Sequence, residues 1–207
     1  MPPKCKFTRD EIISAVLNIT RRNGYDSVTA RSVAAELGSS PKVIFSAFES
    51  MDELHKETIA AADMLYMQYI AEDIASGKFP PYKASGMAYI RFAKEETELF
   101  KLRFMRDRSH EAYTDETAAI EPIIVMIQQT LGLSREMALE MHLQMWIYVH
   151  GIASMIATNY LNFDMAEVSR LISESYYGLQ AQYTAKQASK EVNNNVRTRH
   201  TFTYEEI

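Results

Sequence analysis

Residues 29–48 read TARSVAAELGSSPKVIFSAF, and the interpretation of the whole chain turns on this stretch. Val33, Ala34 and Leu37 are spaced for one face of a short helix. Gly38 ends it, because glycine enters the left-handed turn without a Cβ clash. Ser40 followed by Pro41 restarts a helix, since serine caps free amides and proline at a first helical position has no amide to lose. Ile44, Phe45 and Phe48 are expected on the buried side of this second helix. Two short helices joined by a glycine-containing turn match a helix-turn-helix, whose second helix is the one that enters a major groove.

Working outward, Thr8 with Glu11 forms a capping box for a preceding helix, with Ile12, Ile13, Val16 and Leu17 at helical spacing and Gly24 closing it. Tyr25 and Val28 are expected to pack beneath this helix, and Thr29 to begin the next. Downstream, Ser50 with Glu53 opens a long fourth helix to about residue 76, its buried side carrying Leu54, Ile59, Ala62, Leu65, Tyr66, Tyr69 and Ile70. Gly77 to Pro81 stops it. Further helices are expected at about 83–95, 97–108, 120–131, 135–160 and 165–184. Thr97, Ser134 and Asp164 are candidate N-caps, while Pro122 and Gly132 punctuate the middle. Residues 110–119 read as a polar loop, and beyond about residue 186 the composition becomes that of a polar tail.

Composition bounds the alternatives. With 207 residues, 47% of them hydrophobic, and only 7 Gly and 6 Pro, the chain has material for a substantial, nearly all-helical core. The formal charge of -5 repels nucleic acid, so any DNA contact must come from a local basic surface. Lys4, Lys6, Arg9, Arg21, Arg22, Arg31 and Lys42 supply one, offset by Asp10, Glu11, Asp26, Glu36 and Glu49. Residues 1–7 form a short basic arm that is either a terminus without contacts or a phosphate or minor-groove contact. A single cysteine, Cys5, and a start without an apolar signal region fit a reducing, cytoplasmic setting. The apolar run from Met145 to Ala157 is interrupted by His150 and too short for a bilayer span, so no membrane partner is expected.

In order and spacing, the first 55 residues or so resemble the N-terminal domain of the tetracycline-repressor (TetR) family. Ile12, Ala15, Gly24, Tyr25, Thr29, Arg31, Val33, Ala34, Gly38, Ser40, Phe45, Phe48 and Leu54 carry the likeness. Residues 89–104, YIRFAKEETELFKLRF, and 145–156, MWIYVHGIASMI, resemble C-terminal domains of a Trp-x-x-x-His-Gly subgroup. The resemblance implies an all-α chain of about nine helices. It would have a three-helix DNA-binding domain over residues 1–50, a helical effector-binding and dimerisation domain over 51–185, and a polar tail over 186–207. It further implies a homodimer that grips double-stranded operator DNA and responds to a small-molecule effector, with the fourth helix transmitting movement between domains.

Carried over residue by residue, Thr29 and Ser40 would meet phosphate at helix starts and Arg31 would reach a base edge. Lys42, Val43, Ser46 and Ala47 would lie on the outward side of the recognition helix, where Val43 and Ala47 could meet thymine methyls. Where the family often carries a phosphate-binding threonine, tyrosine and lysine, this chain has Val43, Phe45 and Met51. Fewer phosphate contacts predict weaker, less salt-sensitive binding.

The 12 Met, 12 Tyr and 9 Phe suggest an adaptable apolar chamber in the second half. Phe92, Phe100, Phe104, Met105, Met126, Met145, Trp146 and His150 are its candidate lining residues; the competing reading is a plain helical core with methionine as filler. His142, Trp146 and His150 succeed one another by one turn, but a metal site would need a carboxylate from elsewhere, and no metal or cofactor is expected. Ile147, Ile152, Ile156, Val168, Leu171, Ile172, Tyr176 and Leu179 cover more of the last two helices than a solvated surface allows, which suggests a four-helix interface between subunits. Two other classes stand beside the regulator: a helical small-molecule-binding protein with weakened DNA binding, and an enzyme. The last has no nucleophile elbow, phosphate loop or zinc-protease helix behind it, and Glu95 and Glu96 read as solvated acids.

Overall fold

The structure, a computed structural model, describes residues 7–109 and 117–201. The basic arm with Lys4, Cys5 and Lys6, most of the expected polar loop, and the last six residues lie outside this range. All regular structure among the described residues is helical, as the composition predicts. The elements are α1 (Arg9–Asn23), a 3-10 turn (Tyr25–Ser27), α2 (Ala30–Glu36), α3 (Lys42–Phe45), α4 (Met51–Ala75), α5 (Pro81–Glu95), α6 (Thr97–Phe104), α7 (Thr117–Leu131), α8 (Arg135–Ala157) and α9 (Met165–Thr201). The chain folds as two compact units, Met1–Glu111 with His150–Phe163, and Ala112–Val149 with Asp164–Ile207. Helix α8 therefore contributes to both.

In the first unit, α1, α2 and α3 close over a small core of Ile12, Ala15, Val16, Ile19, Val33, Val43, Ile44, Phe48 and Leu54. The capping box at Thr8 is complete: its hydroxyl accepts the Glu11 amide while the Glu11 carboxylate accepts the Thr8 amide at 2.7 Å. Gly24 and Gly38 take positive φ, 76° and 59°, at the two chain reversals that bring the helices together. Thr20 and Thr58 are buried polar residues that satisfy themselves on the carbonyls four residues earlier, Val16 and Leu54. Helix α4 packs chiefly along α5, and α1 leans on both α4 and α6.

Several local expectations need correction. Helix α3 is one turn long, and Pro41 rather than Ser40 precedes it, with no side-chain cap. Because Pro41 is already in the helical region, Ser40 contributes its carbonyl, which accepts the Val43 amide at 3.1 Å. At the start of α4 the Ser50 hydroxyl caps the Glu53 amide as expected, but the Glu53 carboxylate takes the Glu49 amide instead of closing the box. Thr97 sits inside α6, its hydroxyl donating to the Ala93 carbonyl. Ser134 and Asp164 do cap, accepting the Met137 and Glu167 amides.

Helix α6 ends at Phe104, and α7 begins at Thr117 and contains Pro122. Helix α9 runs to Thr201, past the point where polarity suggested a tail. Residues 185–192, AKQASKEV, are good helix formers without glycine or proline, so nothing in them stops the helix.

Candidate functional site

The first candidate surface is the outer side of α3. A helix advances 100° per residue, so Ile44 and Phe48, four apart, share the inward face. Ile44 and Phe48 are buried, and Val43 is only 7% exposed. Lys42, Phe45 and Ser46 consequently point out. Two expectations change with this register: Val43 is a core residue and does not face outward, and Phe45, expected inside, is 53% exposed. Spacing alone does not give this register, since Phe45 and Phe48, three apart, could equally share a face.

Arg9 of α1 fixes the end of this turn. Its Nη1 donates to the Ala47 carbonyl at 2.6 Å, its Nη2 to Glu53 at 2.7 Å, and its guanidinium lies 4.1 Å from the centre of the Phe48 ring. The Glu49 amide and Arg9 together hold the Glu53 carboxyl below its usual range. Two more cations of the three-helix head are tied to acids. Arg21 makes a forked pair with Glu96 at 2.7 and 2.9 Å, and Arg22 pairs with Glu36 at 2.6 Å. Glu96 is therefore an ion-pair partner and not the solvated acid read from the sequence, and Glu95, though exposed, pairs with Arg91 at 3.5 Å and accepts the Tyr69 hydroxyl at 3.1 Å.

Arg31 and Lys42 are exposed and carry no ion pair among the described residues. Thr29 is exposed at the start of α2, its hydroxyl accepting the Ser32 amide at 3.1 Å. Ser40 is also exposed, Ala47 is half-buried, and Ser46 donates its hydroxyl proton to the Val43 carbonyl at 2.7 Å.

The second candidate region is an aromatic cluster on α4, α5 and α6. Tyr66 meets Tyr89, Phe92 and Phe104 at ring-centre distances of 5.6, 5.6 and 5.4 Å. Tyr89 in turn meets Phe100 and Phe104 at 5.4 and 4.8 Å, mostly edge-on or tilted as ring quadrupoles prefer. His150, in the C-terminal half of α8, joins it, with its Nδ1 2.8 Å from the Tyr89 hydroxyl and its ring 6.1 Å from Phe100. Burial pushes the His150 imidazole below its ordinary value and the Tyr66 and Tyr89 phenols above theirs. An Arg103–Asp63 ion pair flanks the cluster, Arg103 also lying over Phe104.

Phe92, Phe100, Phe104 and His150 of the expected lining are thus gathered in this unit. Met105, grouped with them by the sequence, is 41% exposed. Tyr66 and Tyr89 were absent from the expected lining, although Tyr89 lies three residues before Phe92, on the same helix face.

In the second unit, Met145 is buried, Met126 half-buried and Trp146 43% exposed. Leu143 and Ile147 are exposed beside Trp146 on the same side of α8. Tyr183 of α9 is fully buried, donating to Glu140 at 3.2 Å and accepting from Gln144 at 2.8 Å. Among the described residues no three histidine, cysteine or acidic side chains gather as metal ligands would, and no helix is long and apolar enough to cross a membrane.

Residues 82–175 match the family model described as tetracyclin repressor-like, C-terminal domain. A crystal structure of a candidate transcriptional regulator from Pseudomonas aeruginosa PAO1 superposes with a TM-score of 0.59. It is 14% identical, over 86% of this chain and 93% of the other, which is a likeness of fold. No curated protein matches the chain. Residues 82–175 are thus a tetracyclin repressor-like C-terminal domain, in a chain whose fold is like that of the Pseudomonas aeruginosa structure.

Proposed function

We propose that the protein is a ligand-responsive, DNA-binding transcriptional regulator that acts as a homodimer, most simply a repressor released from its operator by a small apolar or aromatic effector. The observation that carries this reading is the outer face of α3. Lys42 stands exposed without an ion pair on a turn whose far end is clamped by Arg9, and Arg31 stands in the same state on α2. Exposed cations without an acidic partner are what phosphate and base-edge contacts require. Thr29 and Ser40 are exposed as well, as phosphate contacts would be. The exposed Leu143, Trp146 and Ile147 of α8 favour a second copy of the chain as the cover for that helix face.

Coupling has a physical route within the first unit. Helix α6 carries Phe100 and Phe104 of the aromatic cluster, and its preceding residue, Glu96, grips Arg21 of α1. A guest that displaces the rings of α6 shifts the partner of α1, and the duplex and the guest then antagonise each other reciprocally.

A second reading, a small-molecule-binding protein with weakened DNA binding, is favoured by one observation. Three of the five basic residues between positions 7 and 49, namely Arg9, Arg21 and Arg22, are already paired with carboxylates. A gel-shift titration against the promoter nearest the protein's own coding region, repeated at rising salt, separates the two. The regulator reading expects a discrete complex that outlives competitor DNA; a chain that shifts no duplex at low salt leaves only the second reading standing.

A further inference from the structure

The geometry points to Phe45 as the side chain that reads a thymine methyl in the major groove, an assignment that rests on the DNA-binding reading above. On α3 three side chains face outward, and their chemistry differs: Lys42 is a cation, Ser46 a hydroxyl already donating to the Val43 carbonyl, and Phe45 an aromatic ring. Phe45 is 53% exposed although the two residues before it, Val43 and Ile44, are buried, so the ring has no place in the core of the head. It also has no hydroxyl or charge with which to hold a phosphate, so its contact with a duplex must be apolar. In the major groove the apolar feature that distinguishes one base pair from another is the C5 methyl of thymine.

Burial of Val43 removes the other large apolar candidate on this turn, and Ala47 is half-buried with its carbonyl held by Arg9. The same clamp keeps Phe45 on a rigid element. A fixed ring selects position as well as chemistry, because a mobile one would pay ordering entropy at every site alike. Lys42, one turn earlier on the same face, supplies charge but no preference between A·T and T·A. The methyl contact is therefore the source of sequence discrimination at the base pair that Phe45 meets.

The test uses the full-length protein and selection from a random duplex pool, followed by replacement of each thymine in the selected site with deoxyuridine, which removes only the methyl. The expected result is one position per half-site where deoxyuridine weakens binding about three- to fivefold, as the loss of one buried methyl implies. Phe45→Ala binds the parent duplex more weakly and no longer distinguishes thymine from deoxyuridine, whereas Phe45→Leu keeps the distinction. Because position 45 is exposed, the circular dichroism and melting temperature of both variants stay those of the parent, which excludes misfolding. Equal affinity for thymine and deoxyuridine at every position, or a methyl preference that survives in Phe45→Ala, overturns this assignment while leaving DNA binding intact. Failure to enrich any duplex overturns the DNA-binding reading and this assignment together.

Discussion

The three-helix head and the aromatic cluster of α4, α5 and α6 place their polar groups in opposite ways. In the head, charged side chains lie outside and brace a short helix, as Arg9 does with Ala47 and Glu53, while the interior is aliphatic apart from the Phe48 ring. In the cluster, the Tyr89 hydroxyl and His150 imidazole meet among edge-on and tilted rings. The difference indicates what each end is suited to meet. Under the function proposed above, a face that keeps its fixed charge outside would meet a large, charged partner, whereas polar groups among rings would offer hydrogen bonds to a small guest shielded from water.

The sharpest way to break this contrast is to remove one ring from each interior. Phe48→Ala and Phe100→Ala each delete a fully packed phenyl group, and each is expected to lower stability by about 3–5 kcal/mol in denaturant titrations. Phe48→Ala should also abolish duplex binding even where the chain stays folded, because Phe48 supports both Arg9 and α3. If Phe100→Ala proves as harmful to duplex binding as Phe48→Ala in chains that remain folded, the two ends are not separable as described.

Tyr89→Phe probes the buried polar pair more gently. It removes one hydroxyl and leaves the His150 ring without that partner, with an expected loss of about 1–2 kcal/mol. The pH profile gives a related test. His142 and His150 are held below the ordinary imidazole value by burial, so the folded chain binds fewer protons than the unfolded one where histidine titrates. Stability should be intact above about pH 6.5 and decline as pH falls below it, measured by thermal melts across a pH series. A profile flat down to pH 5 would show that these rings accept protons without cost.

Lys42→Ala should leave the melting temperature unchanged, weaken duplex binding for all sequences alike and reduce the salt dependence by about one counterion per subunit. An unchanged salt slope would place Lys42 away from the phosphates. The smallest expected effect belongs to Arg21→Ala, since a pair this exposed is worth no more than about 1 kcal/mol. Its interest lies in coupling: duplex affinity without effector should hold, while the effector's ability to release the duplex should weaken.

Where long amphipathic patterns decided the outcome, the sequence was readable. The all-helical class, the opening capping box, the glycine reversals and α4 follow from spacing and from residue conformational limits, and the family resemblance agrees with the C-terminal match. Short elements were harder. In a four-residue helix every apolar residue looks like core, and only the packing of α3 against its neighbours settles that Val43 is buried and Phe45 excluded. The cluster's phenylalanines could be named from their apolar character. Tyr66 and Tyr89 could not, because a tyrosine on a helix serves equally well half-buried or facing water, and its neighbours from other helices decide. Ion pairs such as Arg21–Glu96, 75 positions apart, leave no local trace in the sequence at all.

The Arg9 clamp also limits what drift at that position can be tolerated. A flat, forked cation serves a carbonyl, a carboxylate and a ring face at once, whereas lysine offers one compact charge and no plane to stack. Exchange of Arg9 for lysine would therefore be a costly step in descent despite the preserved charge, and lineages that made it would be expected to carry a compensating change near Ala47 or Glu53.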